Sequence, residues 1–203
     1  MLLFTRSRRN VDSCFNQPAR HFSDAVSLLE FIEMSTLALV PLSEYLGHTT
    51  DPDCEYVDGH LVARNVGEIG HSDAQGRTYA FVFVNCRNFW AGVEVRVQVR
   101  AERYRVPDVV IVRGGRPRGR IITAPPDVAV EVLSPEDRAG DVQDKIDDYL
   151  QFGIPVVWVI DPDQRRAWIH TAKQGAREVL DGVLRNAAGD LEVPFSAVFV
   201  EQA

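Results

Sequence analysis

Three ionisable residues stand where a core would normally hold apolar side chains. Asp108 opens the run PDVVIV, Glu131 lies near the end of DVAVEV, and Lys145 falls within the amphipathic segment DVQDKIDDYLQF. Two buried carboxylates repel each other unless a cation or a proton comes between them. Mg2+ is a cation that suits them, since it is typically held by one or two carboxylates plus waters and substrate phosphate oxygens. It lowers the pKa of a bound water and offsets the charge that builds on a phosphoryl group. A lysine beside it can hold the attacking water or stabilise the same charge. Taken singly, each residue has a plainer reading: a surface Asp at a strand start, an edge Glu, a snorkelling Lys. The three together, in this order, favour a site.

The period of each segment says how these groups are positioned. In the second run Val128, Val130 and Val132 share one face, and Asp127, Ala129, Glu131 and Leu133 share the other. In the first run Asp108 shares a face with Val110 and Val112. If the two runs pair, both carboxylates project from the same end of one sheet. The following segment reads as a helix from about Asp141 to Phe152, with Val142, Ile146, Tyr149 and Leu150 as its buried stripe. Lys145 lies three residues after Val142 and four before Tyr149, so it turns inward beside that stripe. Asp144, Asp147, Asp148 and Gln151 are expected on the outer face. Gly153 is placed as the C-cap and Pro155 stops continuation.

Pro107-Asp108, Glu131-Val132-Leu133-Ser134-Pro135, Lys145 and Tyr149-Leu150-Gln151-Phe152-Gly153 together resemble the PD-(D/E)xK nuclease superfamily. Within it the chain is similar to the Uma-two family of restriction endonucleases, from about Met34 to the C-terminus. The superfamily name expects a lysine two residues after the Glu, where this chain has Leu133. The resembling family usually lacks that lysine too, and Lys145 matches the helix position thought to replace it. The resemblance implies a restriction-endonuclease-like α/β fold, a mixed β-sheet flanked by α-helices. It also implies a metal-dependent endonuclease acting on DNA. Asp108 and Glu131 would hold Mg2+ or Mn2+, Lys145 would assist the water or phosphate, and Glu55 would complete the site. It points as well to His71, near the start of a long helix, and to Gln98. It allows a homodimer.

Composition bounds the rest. With 203 residues, 45% hydrophobic and 25% charged, the chain can bury a substantial core. No apolar run is long enough to span a bilayer. The net charge of −7 argues against a broad nucleic-acid-coating surface, though not against a local basic groove. Cys14, Cys54 and Cys86 are odd in number and widely spaced, which suits a reducing, cytoplasmic setting and makes no zinc motif. The only dense basic cluster of the family-like region is RGGRPRGR. Its Arg116, Arg118 and Arg120 could track a phosphate backbone, although a solvated loop is the default reading.

Along the chain, Pro41 to Leu46 reads as a short helix. Cys54 to Val62 reads as a hairpin turning at Asp58-Gly59. The span Gly67–Trp90 offers both strand propensity at Tyr79–Val84 and a helical stripe of Ala74, Thr78, Phe81, Val82, Asn85 and Phe89, and the residues alone leave both open; the resemblance implies a long helix packed on the sheet, which is the expectation taken. Val93–Val99 alternates as one half-buried strand, and Pro155–Ile160 reads as a buried strand returning through Arg166–His170.

Two other functions compete with a DNA nuclease: a catalytically silent binding or assembly module that keeps the fold, and a nuclease acting on RNA or nucleotides. Residues 1–33 carry four arginines and a short apolar patch around Val26–Ile32 but no periodic pattern. They are expected to be a poorly ordered extension preceding a domain over residues 34–203. Chains starting at Met1 and at Met34 should therefore melt at the same temperature in a thermal denaturation experiment.

Overall fold

In the computed structural model, residues 39–47, 53–65 and 67–200 are described; the expected N-terminal extension lies outside them. The elements in order are α1 (Leu42–Gly47), β1 (Cys54–Val57), β2 (His60–Ala63), α2 (Ile69–Asn85), β3 (Phe89–Val93), β4 (Val97–Arg100), β5 (Arg103–Arg105) and β6 (Val109–Arg113). They continue with β7 (Val128–Val132), α3 (Ala139–Phe152), β8 (Val156–Asp161), β9 (Arg166–Thr171), β10 (Gly175–Glu178), β11 (Val183–Arg185), β12 (Glu192–Pro194) and α4 (Phe195–Val198).

Six strands form the main sheet in the order β10-β9-β8-β7-β6-β3. It is a mixed sheet: β7 and β8 run parallel and the other neighbours antiparallel. A parallel pair needs a crossover, and α3 supplies it. Alternation then sorts the strand residues onto two faces. Val109, Ile111, Val128, Val130, Val132, Trp158 and Ile160 pack with Ala74 and Val82 of α2. Val110, Ala129, Val157 and Val159 pack with Ile146 and Tyr149 of α3, and with Val97 and Val99 of β4. Asp108 and Glu131 belong by alternation to this second face, under α3.

A second sheet, β2-β1-β5-β4, stands beside the first. Its hairpin turns at Asp58 (φ 50°) and Gly59 (φ 92°). Two consecutive left-handed residues give the tight turn that Asp-Gly favours. Tyr45, Tyr56 and Tyr104 form a small core under it, with the Arg96 guanidinium 4.3 Å from the centre of the Tyr45 ring.

Three sequence expectations need correction. Val93–Val99 is not one strand. Glu94 takes a left-handed conformation (φ 52°) and its N–H donates to the Asp108 carbonyl at 3.2 Å. That turn ends β3 at Val93 and sends the chain into β4 of the other sheet. The long helix is present as α2, with Ala74, Thr78 and Val82 buried. Asn85, however, is its exposed last residue, and Phe89 is buried from β3 rather than from the helix.

Asp148 is the third. Instead of facing solvent it is 2% exposed. Its carboxylate accepts Arg105 Nε at 2.8 Å and Arg103 Nη1 at 2.9 Å, and Arg100 Nη2 lies 3.3 Å away. The β4–β5 ribbon covers that side of α3, and its arginines draw the aspartate in. Removing one partner of a buried ion pair strands the other, at a cost of about 3–5 kcal/mol. Asp148→Asn is therefore expected to lower Tm by roughly 6–20 °C, taking ~2–4 °C per kcal/mol, as read by thermal denaturation.

Candidate functional site

The register of β6 on β7 pairs Val109 with Val130 and Val110 with Ala129. One step further along the same ladder, Asp108 stands opposite Glu131. Directly opposed residues of an antiparallel pair share a face, so both carboxylates leave the sheet at one end and on one side. Both are buried, at 4% and 5% exposure. That burial must be matched by hydrogen bonds or opposite charge.

Each carboxylate has its own partners. Asp108 Oδ2 accepts the Val132 N–H at 2.7 Å and lies 3.3 Å from His71 Nε2; its Oδ1 accepts Nη2 of Arg64 at 3.0 Å. Glu131 Oε1 accepts the Tyr149 hydroxyl at 2.6 Å and Oε2 accepts Lys145 Nζ at 3.1 Å. Lys145 and Tyr149 are four apart on α3, so one helix face grips both oxygens. Glu55, on β1, joins from the second sheet. It is 1% exposed, accepts the Val106 N–H at 2.9 Å and Arg105 Nη1 at 2.8 Å, and lies 3.8 Å from Lys145 Nζ.

The structure thus gathers Asp108, Glu131, Lys145, Glu55 and His71. Gln98 is elsewhere: its side-chain amide donates to the Ala101 carbonyl at 3.4 Å. Arg116, Arg118 and Arg120 occupy the exposed loop after β6, which leaves the sheet at the end opposite Asp108. Sequence reasoning gave no part to Arg64, Arg105 or Asp148, and gave Tyr149 only a packing role. Asp148 had a signal, since it lies three residues after the inward-turned Lys145. Arg64 had none, because it follows a hairpin strand whose residues are all exposed.

The electrostatics are uneven. Burial pushes the Glu131 carboxyl up to about 7, with Asp108 and Glu55 adding to the rise against the pull of Lys145 and the Tyr149 hydrogen bond. Burial works against the Lys145 ammonium, yet Glu131, Glu55 and Asp108 together hold its pKa above the usual lysine range. The two partners differ because the ammonium faces three carboxylates while Glu131 faces two like charges. Asp108 moves the other way. Burial alone would raise its pKa, but the His71 hydrogen bond, the Val132 N–H and Arg64 bring it below the usual carboxylate value. The same hydrogen bond to Asp108 raises His71, against the effect of burial.

This donor set fits a hard divalent cation. Among the described residues no group of three or more His, Cys, Asp and Glu is placed to hold a metal, but Mg2+ needs only one or two carboxylates, with waters filling its octahedron. Asp108 and Glu131 would supply those. Burial is the main cause of the raised Glu131 pKa, and the smaller part that comes from Asp108 and Glu55 is charge that such an ion would offset.

Comparisons with known proteins agree with this architecture. Among the described residues no helix is long and apolar enough to cross a membrane. No curated protein matches the chain significantly. Among solved structures it is similar to a protein of Anabaena variabilis described as a putative nuclease belonging to DUF820. The TM-score is 0.67 and the identity 24%, over 78% of this chain and 97% of that one. The likeness shows a shared fold. The family model Uma2, described as "Putative restriction endonuclease", matches residues 42–195, a span that holds Glu55, Asp108, Glu131 and Lys145 alike. The chain belongs to the Uma2 family of restriction-endonuclease-like proteins.

Proposed function

We propose that the chain is a metal-dependent endonuclease that hydrolyses phosphodiester bonds in DNA. The observation that carries this reading is the meeting of Asp108 and Glu131 at one end of the sheet, with Lys145 Nζ 3.1 Å from Glu131. Asp108 and Glu131 would hold Mg2+, or Mn2+ in its place; the bound ion would supply an acidified water and offset charge on the phosphoryl group. Tyr149 orients the Glu131 carboxylate from one side and Lys145 from the other. Lys145 stays protonated and donates, to the attacking water or to a phosphate oxygen. His71 and the Val132 N–H fix one oxygen of Asp108. Glu55 helps to keep the lysine charged. The exposed Arg116, Arg118 and Arg120 offer a cationic loop for the DNA backbone. The free thiol of Cys86 suits a cytoplasmic setting.

One observation favours a silent binding module instead. Arg64, Lys145, Arg105 and Arg103 already pair with the four buried acids Asp108, Glu131, Glu55 and Asp148. Substitutions separate the two readings. Asp108→Asn and Glu131→Gln each remove a ligand charge at nearly constant shape, so Mg2+ affinity and cleavage should fall together. Lys145→Met keeps the stem and removes a like charge from the ion's vicinity. Metal binding should persist or tighten while cleavage falls by ~100-fold, the size of effect seen when one electrostatic donor is lost. Calorimetric Mg2+ titration with single-turnover cleavage of DNA, and of RNA in parallel, reads all three variants. Parent-like cleavage by Lys145→Met would remove the lysine from the mechanism.

The raised Glu131 pKa gives a metal-free test. With its folded value near 7 and an ordinary value of 4.5, the group lowers stability as pH rises from about 4.5 through 7. Over that window the native state holds a proton that the unfolded chain has released. Glu131→Gln removes the penalty. Without metal, the variant should melt above the parent at pH 8, with the difference shrinking towards pH 5. Equal melting at pH 8 would show that Glu131 carries no net penalty.

A further inference from the structure

The two oxygens of Asp108 are not equivalent. Oδ2 is occupied by the Val132 N–H at 2.7 Å and by His71 Nε2 at 3.3 Å. A carboxylate oxygen has about two acceptor sites, so Oδ2 has little left to offer. Among the described residues, Oδ1 meets a single donor, Nη2 of Arg64 at 3.0 Å. An ion shared between Asp108 and Glu131 needs that oxygen. A guanidinium and a divalent cation on one oxygen repel strongly in a site this buried.

Arg64 differs from the other arginine of the site. Arg105 is buried and holds two buried acids, Glu55 and Asp148. Arg64 divides its hold: Nη2 is on Asp108, while Nη1 lies 3.5 Å from Asp53 and 3.8 Å from Glu94. The side chains of those outer acids are 48% and 52% exposed. They offer the same guanidinium a second, more exposed pair of partners, which Nη1 already approaches.

We propose that Arg64 and the divalent cation are alternative occupants of Asp108 Oδ1. The guanidinium holds the buried carboxylate until the ion arrives, then moves out onto Asp53 and Glu94. Arg64 is thus a positioning residue that sets metal affinity without touching the ion. This rests on the metal-dependent reading above. It explains how the buried acids can be fully paired in the metal-free chain and still accept an ion. The competing cation is mobile, while Lys145 and Arg105 stay in place.

The test is calorimetric titration of the full chain with Mg2+. Arg64→Gln removes the competitor and should bind Mg2+ about 10-fold more tightly, or ~1.4 kcal/mol. Asp53→Asn with Glu94→Gln weakens the outer seat and should loosen Mg2+ several-fold. Loss of two nearby negative charges could do that by itself, so the double-mutant cycle decides. In the Arg64→Gln background the same pair of changes should have little effect, whereas plain long-range charge would act equally in both backgrounds. Unchanged or weaker Mg2+ binding by Arg64→Gln overturns the exchange, as does an equal effect of the outer pair in both backgrounds. If Arg64→Gln fails to fold, Arg64→Lys replaces it. A lysine is a point charge that cannot span both seats, so binding about 3-fold tighter than the parent is expected, and parent-like binding overturns the proposal. Binding by the parent that is lost in Asp108→Asn, with Arg64→Gln unchanged, sinks the exchange alone. No Mg2+ binding by parent or Arg64→Gln sinks both the exchange and the metal reading.

Discussion

The cost of burying carboxylates shapes this structure. Glu55, Asp108, Glu131 and Asp148 are each at most 5% exposed. Left alone, each would be protonated or would unfold its surroundings. The chain instead brings a cation to every one. Lys145 comes from the crossover helix, Arg103 and Arg105 from β5, and Arg64 from the end of the β1–β2 hairpin. The second sheet delivers most of that positive charge, and the tyrosine core beneath it keeps the ribbon in place. An apolar core of the same size would need none of these contacts. Their presence is better explained by a use for the acids than by stability, since buried ion pairs are weak evidence of a net gain.

The two halves of the site depend on each other through Arg105. Its guanidinium joins Glu55 of β1 to Asp148 of α3. Glu55 in turn faces Lys145, one helical turn before Asp148. The position of the lysine over Glu131 is therefore set by packing of Ile146 and Tyr149 on the main sheet and by the clasp at Asp148 on the other side. A loop could not hold the ammonium so closely between two carboxylates.

The legible parts of the sequence were those governed by period. Alternation in the two valine-rich runs gave the faces of β6 and β7, and a common end of the sheet for Asp108 and Glu131 on the condition that the two strands pair, as they do. The heptad-like spacing of Val142, Ile146 and Tyr149 gave α3, and the Asp58-Gly59 turn gave the first hairpin. Failures came where tertiary contacts overrode local pattern. Val93–Val99 alternates without interruption, but Glu94 adopts a left-handed turn that local sequence does not announce. Asp148 reads as a surface acid because the arginines that bury it lie more than 40 residues away in sequence. Arg64 is beyond such reasoning for the same cause: it meets Asp108 across 44 residues.

The position of Leu133 bears on how a lysine on the helix would replace one on the strand. Leu133 lies two residues beyond Glu131, on the same face, where the superfamily pattern expects a lysine. Here its N–H extends the pairing to β8 through the Ile160 carbonyl at 2.8 Å, and its side chain packs against the same buried cluster as Val142 of α3. A leucine there adds to the apolar packing on that face. The cation then has to come from above the sheet. Because α3 links parallel strands, it must pass back over the strand it left, and one turn of that helix is enough to place Lys145 on Glu131 and Tyr149 beside it. With the lysine on the helix, the charge beside Glu131 is coupled to the seating of α3.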